Sequence, residues 1–205
     1  KIAEVCAQNK ILVISDEIYE HLIYDGKKHE SIASLGKEIY DLTITVNGLS
    51  KAFSMTGWRI GYFGASEKIA SAVTKFQDHS TSNPASISQK AALAALESKD
   101  NWQEIMRQEF EARRNLMFSC LDEISLLSYV RPQGAFYVFC DISKIGIDSH
   151  SFASKLLDEE KVALIPGAGF GFDNFVRMSF STSQDKIKQG IEKIGKWVKQ
   201  LPRKS

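Results

Sequence analysis

Short apolar runs punctuate the first half of the chain, and amphipathic stretches with brief extended segments fill the second. Residues 11–15, ILVIS, are a compact apolar run ending at a polar position, the pattern of a strand buried on both faces of a parallel sheet. LTITVNG, residues 42–48, is rich in β-branched side chains and predicts a second buried strand. RIGYFGA, residues 59–65, predicts a third, in which the glycines point to close packing. SEKIASAVTKF, residues 66–76, starts on a serine and then repeats Ile69, Val73 and Phe76 at helical spacing. Residues 82–98 open with turn chemistry and become an alanine-rich helix. From about 102 to 124, Trp102, Ile105, Met106, Phe110, Met117, Leu121 and Ile124 keep to roughly one helical face. Beyond it SYVR, AFYVFCDI, VALIP and FVRMSFS read as short strands, with SFASKLLDEEK and DKIKQGIEKIGKWVKQ as the helices among them. The expected architecture is α/β: a mostly parallel sheet with helices over 1–110, then a smaller α+β domain over 111–205. At the start, Ile2, Val5 and Cys6 follow helical spacing with no capping residue before them, which reads as the tail of a helix begun elsewhere and so as a piece of a longer protein.

Composition narrows the function without naming one. Of 205 residues, 43% are hydrophobic and 25% charged, as in ordinary globular proteins. Lys+Arg is 26 and Asp+Glu 25, a net charge of +1, so no broad basic field points to nucleic acid or a lipid surface. The three cysteines are far apart and odd in number, which suits neither a disulfide framework nor a zinc cluster and favours a reducing, cytoplasmic setting. The four histidines show no ligand spacing, so no metal is expected. No apolar run reaches membrane-spanning length.

Four residues carry candidate chemistry. Asp16 ends an apolar strand, at the edge of a parallel sheet where ligands sit. It either caps a following helix or aims a carboxylate into a site, with Tyr19 one helical turn on. Lys51 follows the second strand through small residues, in the stretch GLSKAFSMTGWRIGY. Lysines are mostly solvated, but Phe53 and Met55 lower the local polarity, and a desolvated amine loses proton affinity and becomes a nucleophile for carbonyl carbon. Arg59 either makes a surface salt bridge or holds a phosphate by paired hydrogen bonds.

GLSKAFSMTGWRIG resembles the lysine signature of fold-type I pyridoxal-phosphate enzymes, in the class I/II aminotransferase family. DEIY at 16–19, PQGAFY at 132–137 and VRMSFS at 176–181 are further matches in the family's order, so the resemblance covers essentially the whole chain. It implies that Lys51 carries pyridoxal 5'-phosphate as a Schiff base and shuttles a proton, and that Asp16 pairs with the ring nitrogen. Tyr19 would donate to the ring oxygen, Arg59 would bind the phosphate, and Arg177 would grip the substrate α-carboxylate. The substrates would be an amino acid, aspartate or similar, and a 2-oxo acid, and the full-length enzyme a homodimer with residues 80–84 near the partner's site. The resemblance also implies complete chains about twice this length, so that this piece alone would bind cofactor weakly. One departure is Gly48, where many relatives have a hydroxyl residue. IPGAGFG, residues 165–171, would be a loop that moves on closure. A decarboxylase, synthase or lyase of the same fold, or a non-catalytic fragment, are the alternatives.

Overall fold

Branched side chains crowd a helical turn and favour extended backbone, and they dominate the two segments that pair first. The computed structural model describes residues 1–201. After a short helix, α1 (Ile2–Gln8), comes β1 (Val13–Asp16), which pairs in parallel with β2 (Thr43–Gly48), Asp16 lying opposite Val46. Their crossover contains a 3-10 turn at Ile32–Leu35 and α2 (Lys37–Leu42), a helix too brief to leave an apolar periodicity. β3 (Gly61–Gly64) pairs with β2 in the antiparallel sense, Gly61 opposite Gly48, and the strand order is β1-β2-β3. Residues 56–58 form a 3-10 turn, so β3 is shorter than the extended run expected over 59–65.

The expectation that residues 11–15 are buried on both faces is not met. Ile14 is 72% exposed, because β1 is an edge strand and no described element covers that face. α3 (Glu67–Ser80) buries none of its residues, and Val73 and Phe76 are exposed. α4 (Ser86–Glu97) sets Ala92 against Leu49 and Met55, and this small core braces the segment that carries Lys51.

The chain divides into two compact units at Met106 and Arg107, within α5 (Trp102–Leu121). In the second unit α5 buries Phe110, Arg114, Met117, Phe118 and Leu121, a stripe at helical spacing. Trp102 and Ile105, expected on that face, are exposed. Arg114 is tolerated in the core because its guanidinium donates to Pro132 O (3.1 Å) and to Asn115 Oδ1, tying α5 to the segment that leads into the strand at 137–141.

The sheet of this unit is antiparallel, in the order β4-β5-β7-β6: β4 (Ser128–Tyr129), β5 (Tyr137–Asp141), β6 (Ile165–Pro166) and β7 (Phe175–Ser179). Only the last two residues of VALIP are extended. β5 and β7 alternate, with Val138, Cys140, Val176 and Met178 buried on one face. Burial pushes the Cys140 thiol up to about 12, which makes it a core residue and not a reactive one. α6 (Ser149–Glu160) begins at Asp148, whose carboxylate accepts from the Ser151 amide (2.8 Å). α7 (Gln184–Gln200) buries Ile187, Ile191, Ile194, Trp197 and Val198. Trp197 donates its indole N–H to Glu159 (2.6 Å) and meets the Phe152 ring edge-on. All three cysteines are free, and no described helix is long and apolar enough to cross a membrane.

Trp197 and Trp102 separate burial from pattern. Trp197→Ala should destabilise the second unit by about 3–5 kcal/mol, whereas Trp102→Ala should change stability by about 0.5 kcal/mol or less. Denaturant unfolding of both variants checks this. Equal losses would contradict the assignment of the core.

Candidate active site

Two parallel strands end at the same edge of a sheet, and a strand antiparallel to them begins there. This places three of the expected residues together on the first unit. Asp16 is the last residue of β1, Lys51 follows the end of β2 by three positions, and Arg59 precedes β3 by two.

Asp16 is exposed, and one carboxylate oxygen accepts from the Ile18 amide (3.2 Å). No helix follows it: residues 18–21 are a turn, so the helix-cap alternative falls away. Tyr19 is half-buried in that turn. Lys51 is also half-buried, with Nζ 5.8 Å from the Tyr19 ring centroid. The lysine sits in a tight turn in which Leu49 O accepts from the amides of Phe53 (3.2 Å) and Met55 (3.3 Å), and Thr56 Oγ1 donates to Ser50 O (2.9 Å). Ser54 and Arg59 both adopt left-handed backbone, φ 52° and 51°, a conformation L-residues rarely hold. The Arg59 guanidinium is exposed, donates to Thr56 O (2.9 Å) and pairs with no carboxylate among the described residues.

Gly48 has a steric reason. A Cβ there would lie 3.1 Å from Gly61 Cα and 3.2 Å from Ile60 O, tighter than side chains normally tolerate. A side chain at position 48 would therefore need the paired β3 backbone to give by a few tenths of an ångström, and glycine avoids that.

The scaffold under this edge was not apparent from sequence. Glu17 is 6% exposed, and its carboxylate accepts from Ser15 Oγ (3.0 Å) and Ser31 Oγ (2.7 Å) and meets His29 Nε2 at 2.8 Å. Burial raises its pKa, but the serine hydroxyls and the imidazole outweigh that, and the carboxyl sits below its ordinary value. The Glu17 amide donates to Val46 O (2.9 Å), so this buried acid fixes the segment just after Asp16 to the adjacent strand. Asn47 Nδ2 donates to Glu20 Oε1 (2.6 Å) while its Oδ1 accepts from the Gly48 amide (2.7 Å). The one available signal was a second acid directly after the apolar run, followed by polar residues some 12–14 positions on.

Arg177 belongs to the second unit. It lies mid-strand in β7, half-buried, opposite Phe139 of β5. Its guanidinium carbon is over the Tyr137 ring at 4.4 Å and over the Phe170 ring at 4.7 Å. Among the described residues no carboxylate pairs with it, so the strand-edge salt bridge is not formed. Phe170 comes from the 3-10 turn Gly167–Phe170 in the glycine-rich loop. That loop is pinned: Ala168 N donates to Ser149 Oγ, Phe172 N to Gly167 O, and Ser149 Oγ to Asp173 (2.7 Å). A Cβ on Gly167 would collide with the carbonyl oxygens of Phe172 and Phe175. The loop is thus tied to its own unit at several points.

Comparison with known proteins adds identity. A family model described as aminotransferase class I and II matches residues 1–194. An aspartate aminotransferase of Bacillus subtilis (strain 168) is 46% identical over 202 residues, which are 96% of this chain and 51% of that protein. An aromatic-amino-acid aminotransferase of Thermococcus litoralis is 38% identical over 204 residues, 98% of this chain and 52% of that one. Among solved structures, the aromatic aminotransferase from Pyrococcus horikoshii OT3 superposes with a TM-score of 0.92 at 40% identity, over 97% of this chain and 54% of its own. The chain spans about half the length of the curated relatives it matches.

The buried acid makes a pH test. A carboxyl with a lowered folded pKa contributes stability above its ordinary value of 4.5, and loses it as pH falls through the folded value. Glu17→Gln should therefore cost about 1–3 kcal/mol at pH 7. The gap between the two proteins should shrink in acid. Urea unfolding at neutral and acid pH reads both, and a gap independent of pH would count against the ionised cluster.

Proposed function

The chain belongs to the aminotransferase class I and II family, and from that membership we propose that it is the lysine-bearing part of a pyridoxal-phosphate-dependent aminotransferase. Its reaction moves an amino group between an amino acid, aspartate or a similar one, and a 2-oxo acid. The observation that carries this reading is the shared sheet edge of Asp16, Lys51 and Arg59.

The residues suit the cofactor group by group. A guanidinium with no carboxylate partner suits a phosphate, a strand-end carboxylate suits a protonated ring nitrogen, and an amine beside an aromatic ring suits an aldehyde. The backbone-only surface at Gly48 suits close approach of a phosphate. When bound, pyridoxal phosphate supplies an aldehyde for the amino group and an electron-drawing ring that stabilises charge at the substrate Cα.

Each side chain then has a task. Asp16 holds a proton on the ring nitrogen, and its one hydrogen bond to the Ile18 amide leaves its other oxygen for that contact. Lys51 Nζ would hold the aldehyde carbon, and as a free amine it would take up or return the proton at the substrate Cα. Tyr19 donates its hydroxyl to the ring oxygen. Arg59 would hold the phosphate through its guanidinium N–H donors. Arg177 orients the substrate through its α-carboxylate. The part of a full-length relative that this chain does not span supplies the rest of the cofactor site, and the working enzyme is a cytoplasmic homodimer.

Lys51→Ala in the full-length protein tests the reading. Turnover of aspartate with 2-oxoglutarate should fall by more than about 10³-fold. The visible absorbance change on adding pyridoxal phosphate should disappear with it. Retained turnover in this variant would dismiss the lysine assignment.

A further inference from the structure

A half-buried guanidinium normally finds a carboxylate, because desolvating an unpaired charge is expensive. Arg177 finds two aromatic rings instead, at 4.4 and 4.7 Å. The difference matters chemically. A carboxylate would occupy the N–H donors and compete with any anionic ligand. Ring faces attract the cation through their quadrupole and leave those donors unspent.

Both rings are themselves held. Tyr137 is two residues from Phe139 on the same face of β5 and contacts Phe136, centroids 4.7 Å apart. Phe170 meets Phe139 edge-on at 5.9 Å, and Phe139 stacks on Phe175 at 4.8 Å. The loop carrying Phe170 is pinned at Gly167, Ala168 and Phe172, as described above. The rings are therefore part of the rigid body of the unit.

We propose that Tyr137 and Phe170 are positioning residues, an aromatic vice that fixes the Arg177 guanidinium in advance and presents unspent donors to a carboxylate. The proposal rests on the reading of Arg177 as the residue that binds the substrate α-carboxylate. A long arginine side chain loses rotamer freedom when it binds. Held beforehand by the rings, it loses little more when the substrate arrives. Each ring thus acts on substrate capture, through Arg177, and on nothing in the cofactor's attachment.

The test uses the full-length enzyme and the variants Phe170→Leu, Tyr137→Leu, Arg177→Gln and Phe170→Leu/Arg177→Gln. Each leucine variant should raise KM for the amino acid by roughly 3- to 30-fold, the range expected for losing one cation–ring contact. Affinity for pyridoxal phosphate should stay within about twofold, and the conservative variant Phe170→Tyr should keep KM within about twofold of the unaltered enzyme. In the Arg177→Gln background, Phe170→Leu should add almost nothing, because the rings work through the arginine. Two results would overturn the vice: a loss of cofactor affinity or kcat equal to the change in KM, or an undiminished effect of Phe170→Leu when Arg177 is already gone. If Arg177→Gln alone leaves KM unchanged, the carboxylate role of Arg177 falls first and the vice with it. If only the ring variants are silent, that role stands and the vice is refuted.

Discussion

The parallel pairing of β1 with β2 is the constraint from which the candidate site follows. Parallel strands end on the same edge, so Asp16 and Lys51 reach one place although 35 positions separate them. A hairpin would have sent them to opposite edges. The antiparallel return through β3 brings Arg59 to the same edge, and the close Gly48–Gly61 contact sets how near that return lies. Glu17 locks the arrangement by joining the residue after Asp16 to β2 through its amide and to the crossover through Ser31 and His29.

Much of this was legible because two periodicities are strong. The β-branched runs marked β1 and β2, and the apolar stripes marked α5 and α7. Motif spacing then identified Asp16, Lys51, Arg59 and Arg177 as residues worth following. What stayed hidden has physical causes. α2 has only six residues, too few for a stripe to repeat. The exposure of Ile14 depends on what lies across the sheet, which local sequence does not encode. Glu17 is a long-range cluster whose members are meaningful only once the crossover has folded over them.

The second unit shows a different division of labour. One face of β5 and β7 supplies the core through Val138, Cys140, Val176 and Met178, and the other gathers Tyr137, Phe139, Phe175 and Arg177. Alternation along a strand thus separates the buried core from the face that carries the candidate Arg177. Phe136 is buried in the core, while Phe139 serves as a brace between the glycine-rich loop and the strand.

The left-handed backbone of Arg59 has a consequence for anyone engineering this protein. Glycine adopts that conformation without penalty, whereas a residue with a Cβ holds it at a cost of about 1 kcal/mol or more. A redesign scored on folding energy alone would drive position 59 toward glycine and report an improvement, while deleting the guanidinium of the candidate site. Ser54 sits under the same pressure five residues earlier. The loop between β2 and β3 is where thermostability and activity would pull in opposite directions, so consensus or stability-guided libraries should hold it fixed.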